Sequence, residues 1–195
     1  MYTMIKNCRL VSPGVDIACA SILISGNRIV KVASGELSAP QGCTVYDAAG
    51  MMAVPGFIDV HCHGRNNFDF CDGDAAGTAV IAENKLAEGV TTLLPTTLTV
   101  SPEALADSLS AVAKCDQSKS CRMPGVHLEG PFINVKCAGA QNPAYVRLPD
   151  VAESLWFYNP FGPQCRSRFP SDVGYWQTRI GDHCFYNPTD AYYKT

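Results

Sequence analysis

The sequence predicts an α/β fold, because short apolar runs alternate with segments of helical periodicity between Met52 and Pro131. Three strand-like runs in this region are separated by two segments in which apolar residues recur every three or four positions. Such an order is typical of a parallel sheet with crossover helices. The residues alone leave open whether the sheet is a closed barrel or a doubly wound sheet. In both cases functional side chains are expected at the carboxyl ends of the strands.

The first fifty residues lack this alternation and predict a small β-sheet. Residues 3–11 and 18–25 are rich in apolar and β-branched residues, as strands are. A Gly-Asn turn at residues 26–27 leads into a third strand over residues 28–32, which is a hairpin signal. Residues 44–47 predict one further short strand. Nothing in this part of the chain indicates catalysis.

The elements of the following part are delimited by helix caps and chain breakers. They are, in chain order, a strand ending at residue 63, a polar loop over 65–74, a helix over 75–88, a strand over 90–97, a helix opened by Ser101 and Pro102, and a strand over 124–131. Gly89 is well placed to end the first helix. Serine as the N-cap and proline in the first turn are typical of a helix start. Leu105 and Leu109 mark the buried stripe of the second helix.

Two histidines at the end of the first of these strands are the main functional signal. Successive side chains of a strand point to opposite faces, so His61 and His63 face the same way and Cys62 faces away. Two imidazoles at the end of a buried strand make half of a metal site. Glu129 ends a later strand and adds a carboxylate. The alternative is a polar strand terminus and a glutamate that pairs with a cation, but the three residues at equivalent strand ends favour a divalent metal.

Other polar residues near these strand ends are interpreted more simply. His127 shares the facial parity of Glu129 and is interpreted as a hydrogen-bonded histidine at a strand end. Asp59 either supports the metal site or caps a turn. Asp69 and Asp72 are interpreted as solvated loop acids.

The composition excludes several function classes. The net charge is −3 and no basic block occurs, so nucleic-acid binding is not expected. No apolar run is long enough to cross a bilayer, and the start of the chain lacks the apolar core of a signal peptide. The ten cysteines form no Cys-x-x-Cys pair, which favours free thiols in a reducing compartment. We therefore expect a cytoplasmic protein without a membrane partner.

Four stretches of the chain carry a family resemblance. Residues 55–64 (PGFIDVHCHG) resemble the first barrel strand of the amidohydrolase superfamily. Residues 94–99 (LPTTLT), 125–134 (GVHLEGPFIN) and 139–143 (GAQNP) are similar to the N-acetylglucosamine-6-phosphate deacetylase family within it. The resemblance covers residues 1–152, approximately.

The resemblance implies a fold and a reaction. The fold is a partial (β/α)8 TIM-like barrel of the metal-dependent hydrolase type with a small N-terminal β-sandwich portion. It implies that residues 1–52 form the sandwich portion, residues 53–153 form the first part of the barrel, and residues 154–195 are a divergent tail. The reaction converts N-acetyl-D-glucosamine 6-phosphate and water to D-glucosamine 6-phosphate and acetate in amino-sugar catabolism. Members of the family are usually homodimers.

The resemblance also implies roles for particular residues. Glu129 matches the metal-binding glutamate of the family, and His61 and His63 match the second-metal ligands that some members have. Ala140 falls at the position whose backbone contacts the substrate. Zinc is the expected ion, with iron, manganese or cobalt as alternatives. The family's catalytic aspartate lies beyond the matching region, so no catalytic residue is assigned.

The tail over residues 154–195 does not follow the family. It is crowded with aromatic residues, proline, arginine and cysteine, and neither a repeating strand nor an amphipathic helix is apparent. The family would continue here with two more metal-binding histidines and the catalytic aspartate, whereas His183 has no family motif around it and Pro188 stands where a histidine is expected. We interpret the tail as a truncated or frameshifted coding sequence, the alternative being a short variant. The chain alone is expected to be poorly folded and inactive.

Two other functions remain open from the residues. One is an amidohydrolase that acts on cyclic amides or N-acylamino acids. Such enzymes often bridge two metals with a carboxylated lysine, whereas Glu129 takes the expected bridging place here. The other is a non-catalytic metal-binding protein that reuses half of the fold. An activity assay with the metal restored separates these possibilities.

Overall fold

The computed structural model describes residues 1–153, and residues 154–195 lie outside the description. The chain divides into two compact units, Met1–Gly56 and a second unit that begins at Phe57. Within the described residues each unit contributes five strands, and both α-helices lie in the second unit.

The first unit is a five-stranded sheet. Its strands are β1 (Tyr2–Ser12), β2 (Val15–Ser25), β3 (Arg28–Ser34), β4 (Thr44–Asp47) and β5 (Met52–Ala53). β1 pairs antiparallel with β2 and parallel with both β4 and β5, and β2 pairs antiparallel with β3. Gly26 in the turn between β2 and β3 has a φ of 56°, a conformation that glycine adopts at little steric cost. The predicted strands and hairpin are confirmed, although β2 begins three residues earlier than predicted.

The second unit contains a parallel three-stranded sheet in the order β10-β9-β6. Its elements are β6 (Phe57–Cys62), β7 (Gly64–Arg65), β8 (Phe68–Asp69), α1 (Ala75–Ala87), β9 (Val90–Thr97), α2 (Pro102–Lys114) and β10 (His127–Leu128). The α/β alternation predicted from the sequence is therefore confirmed. Since β9 lies between β6 and β10, the side chains that follow the two outer strands meet across the carboxyl end of β9.

The helix ends follow the predicted cap chemistry. The Asp74 carboxylate accepts a hydrogen bond from Ala76 N at the start of α1, and Gly89 follows its last turn with a φ of 86°. The Ser101 hydroxyl accepts from Ala104 N at the start of α2, satisfying a backbone N–H that has no partner inside the helix. Both helices therefore begin where the sequence predicts.

The core of the second unit lies between the sheet and the helices. Its buried side chains are Phe70, Ile81, Ala82, Val90, Leu93, Val112, Cys115, Cys121 and Met123. Leu105 and Leu109 of α2 form a smaller cluster, against which Val126, Leu128 and Phe132 pack. Both leucines of the predicted stripe are thus buried, and they bring α2 against the segment that carries Glu129.

Two expectations about the strands of this unit are wrong. The strand that ends at the histidines was expected to be buried, but Phe57 and Ile58 are 58% and 66% exposed. Within residues 1–153, β6 pairs with β9 alone, which leaves much of its apolar surface uncovered. The last strand was expected over residues 124–131 but is limited to the two residues of β10. Pro124 and Pro131 lack the backbone N–H that a strand ladder requires.

The segment over residues 65–74 is also more ordered than the predicted polar loop. β7 and β8 form a small hairpin in it, and a 3₁₀ turn follows at Phe70–Asp72. The interpretation of Asp69 and Asp72 as solvated loop acids holds for Asp72, which is exposed, and only in part for Asp69, which is half-buried. Both carboxylates also accept backbone hydrogen bonds. Asp69 Oδ1 accepts from Cys71 N at 2.7 Å, and Asp72 Oδ2 accepts from Asp69 N at 2.8 Å. The two carboxylates form a capping box because the N–H groups at the start of the turn have no partner within it.

Candidate metal centre

Two imidazoles and one carboxylate converge at the carboxyl end of the parallel sheet. His61 lies in β6, His63 follows that strand, and Glu129 follows β10. Glu129 Oε2 lies 3.3 Å from His61 Nε2 and 2.9 Å from His63 Nε2. The two Nε2 atoms are 3.1 Å apart. The structure therefore brings together all three residues that were singled out as metal ligands.

The chemistry of these three atoms fits a divalent ion. Glu129 Oε2 is buried and has no hydrogen-bond partner of acceptable geometry in the described part of the chain. A buried carboxylate oxygen is normally hydrogen-bonded. Because this oxygen is not, its short distances to the two imidazole nitrogens are contacts between potential metal ligands. Ligands about 2.1 Å from a zinc ion lie about 3.4 Å apart in a tetrahedron and about 3.0 Å apart in an octahedron. The three separations, 2.9, 3.1 and 3.3 Å, lie close to these values.

Thr96 of β9 orients the second histidine. His63 Nδ1 lies 3.2 Å from the carbonyl oxygen of Thr96, which can only accept a hydrogen bond, so Nδ1 carries the proton. The lone pair of His63 is then on Nε2 and points toward Glu129, as a metal ligand requires. The Thr96 hydroxyl also accepts from Cys62 N at 3.0 Å. Thr96 thus holds the backbone between the two histidines, a role that sequence reasoning did not assign.

His127 lies beside the three converging side chains without joining them. Its Nδ1 donates to the carbonyl oxygen of Val60 at 3.0 Å, and its ring makes an edge contact with His61, with ring centroids 5.0 Å apart. Burial lowers the pKa of His127, which favours the neutral ring. The interpretation of His127 as a hydrogen-bonded histidine at a strand end is confirmed.

Asp59 faces the helix layer and also contacts the backbone of His61. Its Oδ1 accepts from His61 N at 3.0 Å, and its Oδ2 accepts from Lys85 Nζ of α1, also at 3.0 Å. The hydrogen bond to Asp59 raises the pKa of Lys85. Cys62 packs against the core, as its predicted facing requires, and burial raises the pKa of its thiol.

The loop that carries Ala140 is tied to the metal-site segment through Thr99. Ala140 is exposed, whereas its neighbour Gln141 is buried. Gln141 Oε1 accepts from Thr99 N at 2.6 Å, and the Thr99 hydroxyl donates to the carbonyl oxygen of Glu129 at 3.2 Å. Sequence reasoning did not find this connection. The Gln141 side chain supplies an acceptor for a backbone N–H that lies beyond the end of β9. Such a contact between distant residues gives no signal in a single sequence.

The sequence of the chain is similar to those of known proteins. No family model matches the chain. The chain is 27% identical over 153 residues to N-acetylglucosamine-6-phosphate deacetylase of Bacillus subtilis (strain 168), covering 76% of the chain and 39% of the relative. It is 37% identical over 105 residues to the deacetylase of Rattus norvegicus, covering 52% of the chain and 26% of the relative. The chain is similar to N-acetylglucosamine-6-phosphate deacetylases over part of their length.

A solved structure of a deacetylase gives the same result for the fold. It is a variant of the Mycobacterium smegmatis enzyme in complex with N-acetyl-D-glucosamine 6-phosphate, with a TM-score of 0.68 and 26% identity. The match covers 82% of the chain and 41% of the deacetylase. The chain thus spans about two fifths or less of the length of the deacetylases it matches.

Several expectations concern residues that the structure does not describe. The divergent tail over residues 154–195, with His183 and Pro188, lies outside the described residues.

Among residues 1–153, no helix is both long and apolar enough to span a membrane. The eight cysteines in this range are free thiols, as the spacing of the cysteines predicted.

Proposed function

We propose that the chain is part of a metal-dependent hydrolase that converts N-acetyl-D-glucosamine 6-phosphate and water to D-glucosamine 6-phosphate and acetate. The observation that carries the proposal is the convergence of His61, His63 and Glu129 at the carboxyl ends of parallel strands. Glu129 Oε2 is buried and has no hydrogen-bond partner among residues 1–153, which supports a cation at this position. Homology to deacetylases supports the substrate class.

The proposal includes the wider architecture. Residues 1–52 would form part of a β-sandwich, and residues 53–153 would form the first part of a closed (β/α)8 barrel. The parallel order of β10, β9 and β6 and the similarity to the Mycobacterium smegmatis structure support the barrel. Because active sites of such barrels lie at the carboxyl ends of the strands, the metal site would open toward the substrate there.

Three side chains would hold the ion, and zinc fits them best. Two imidazoles and a carboxylate suit zinc, and also suit iron, manganese or cobalt. A divalent ion in this place supplies a Lewis acid that polarises the acetamide carbonyl and lowers the pKa of water. Glu129 supplies the negative charge of the donor set, and the proton on His63 Nδ1 keeps the lone pair of Nε2 directed at the site. The neutral His127 adds no competing positive charge.

The remaining parts of the proposal concern the substrate, the assembly and the compartment. The backbone of Ala140 would contact the amino-sugar phosphate, in a loop that Gln141 holds in place. We also propose a homodimer, on the family resemblance. Free thiols persist in a reducing compartment, so the eight free cysteines support action in the cytoplasm.

A binding experiment tests the function. The chain is stripped of metal with a chelator and reloaded with Zn²⁺ or Co²⁺, and binding of N-acetyl-D-glucosamine 6-phosphate is measured by calorimetry. We expect metal-dependent binding that is lost in His63→Ala. Acetate release by the chain alone is expected to be negligible, because the family's catalytic aspartate lies beyond the region of the chain that resembles the family. Equal binding with and without metal, or preferential binding of a cyclic amide or an N-acylamino acid, would contradict the proposed function.

A further inference from the structure

An ion pair lies directly behind the first metal-site histidine. Asp59 is two residues before His61 in β6, and Lys85 lies near the end of α1. Their side chains are 23% and 16% exposed, and Lys85 Nζ is 3.0 Å from Asp59 Oδ2. Neither residue belongs to the group of converging ligand atoms. A pair removed this far from solvent is costly to desolvate, and loss of either partner would leave a partly buried charge unpaired.

The strand is irregular between Asp59 and Cys62, the interval that contains His61. Asp59 is paired with Leu93 and Cys62 with Pro95, so three residue steps in β6 face two steps in β9. A bulge of this kind adds a residue and changes the direction of the side chains that follow. In a regular strand Asp59 and His61 would share a face. Here Asp59 contacts α1 while His61 points at Glu129.

Asp59 also supplies a hydrogen bond within the irregular segment. Its Oδ1 accepts from His61 N at 3.0 Å, so the carboxylate fixes the backbone of the histidine that the bulge redirects. Lys85 binds the other carboxylate oxygen and thereby holds the carboxylate in the orientation that presents Oδ1 to His61. The two contacts connect the crossover helix to the end of the strand.

The second histidine is fixed in a different way. His63 is oriented through its ring by the carbonyl oxygen of Thr96, and neither Asp59 nor Lys85 contributes to that hydrogen bond. Loss of the ion pair therefore acts first on His61. This difference between the two histidines makes the role of the pair measurable.

We propose that Asp59 and Lys85 are positioning residues that hold the bulge of β6 in the form that directs His61 Nε2 at the metal site. The inference rests on the proposed function, because it assumes that His61 binds a metal ion. The pair acts through His61 and touches none of the three converging ligand atoms. Outer partners of this type typically contribute about 10-fold to 100-fold to metal affinity.

The test compares metal affinities of variants of the full chain. Zn²⁺ affinity is measured by competition with a chromophoric chelator for wild type, Asp59→Ala, Asp59→Asn, Lys85→Met and Lys85→Arg. We expect about 10-fold to 100-fold weaker binding for Asp59→Ala and Lys85→Met. Lys85→Arg, which restores a cation to the carboxylate, should stay close to wild type. Asp16→Ala, which breaks an exposed ion pair with Arg9 in the first unit, is the matched control and should leave the affinity unchanged.

A second readout separates positioning from general loss of structure. Ring signals of His61 and His63 are followed by NMR in the metal-free proteins, with His61→Ala used for assignment and far-UV circular dichroism used to verify folding. In Asp59→Asn, which removes the charge and keeps the shape, the His61 signals should shift or broaden while those of His63 remain. Shifts of equal size in both histidines, or folded Asp59→Ala and Lys85→Met proteins with affinities within twofold of wild type, would overturn the inference. If the wild-type chain is folded by circular dichroism and still binds no metal, the proposed function fails, and the positioning role fails with it.

Discussion

Replacement of Glu129 by glutamine is the most direct test of the metal centre. The change keeps the size of the side chain and removes the negative charge from a donor set that otherwise consists of two imidazoles. An amide oxygen is a much weaker ligand for a first-row divalent ion than a carboxylate. We therefore expect Glu129→Gln to lose most of the metal affinity of the chain.

The magnitude follows from the number of converging ligand atoms. Four-ligand zinc sites have apparent binding free energies of about 10–16 kcal/mol, or about 2.5–4 kcal/mol for each ligand. The structure brings three ligand atoms together within 4.8 Å of one another. We therefore expect each of them to contribute a similar amount to the free energy of metal binding. Loss of one ligand should then weaken binding by about 100-fold to 1000-fold, since 1.4 kcal/mol corresponds to a factor of ten.

The assay is a Co²⁺ and Zn²⁺ titration of the metal-free chain, followed by absorption and by calorimetry. Glu83→Gln is the matched control, because Glu83 is an exposed acid on α1 and the substitution removes the same charge. The control should bind metal like wild type. A Glu129→Gln protein that binds within threefold of wild type would refute the assignment of Glu129 as a ligand, and would leave its buried oxygen to be explained by another partner.

Three further predictions concern the frame around the site. Leu109→Ala should lower the free energy of unfolding by about 2–5 kcal/mol in urea denaturation, because the side chain is only 1% exposed and packs in the cluster that contains Leu105 and Leu128. A change below about 1 kcal/mol would contradict that packing. Gln141→Ala should cost about 1–3 kcal/mol, because it leaves Thr99 N without its acceptor, and the conservative Gln141→Glu should recover part of this loss. Burial raises the pKa of Cys121, so its thiolate fraction at pH 8 is lowered. Its modification by a thiol reagent, followed by peptide-mapped mass spectrometry, should be slower than that of the exposed Cys137 and should accelerate as the pH rises. Equal rates would show that Cys121 is accessible.

Local chemistry made much of the fold predictable. Ser101 and Pro102 marked the start of α2, and Gly89 marked the end of α1, because caps and turns depend on residues close in sequence. The alternation of side chains along a strand was enough to place His61 and His63 on one face. These features need no information about distant parts of the chain.

Register and pairing were not predictable in this way. The bulge in β6 depends on how that strand aligns with β9, and it turned Asp59 toward Lys85, which lies 26 positions away in the sequence. The length of β10 and the exposure of Phe57 likewise depend on which strands are present to pair. A single sequence records the residues of such pairs but not their alignment.

By itself, the sequence determined the order of strands and helices, the helix caps and the residue types able to bind a metal. Only the tertiary structure decided that Glu129 reaches the two histidines across the end of β9, that its buried oxygen has no hydrogen-bond partner in the described part of the chain, and that Asp59 accepts a hydrogen bond from the backbone of His61. The physical reason is that secondary structure follows from neighbours in the chain, whereas a metal site follows from distances between strands that are set by sheet register and packing.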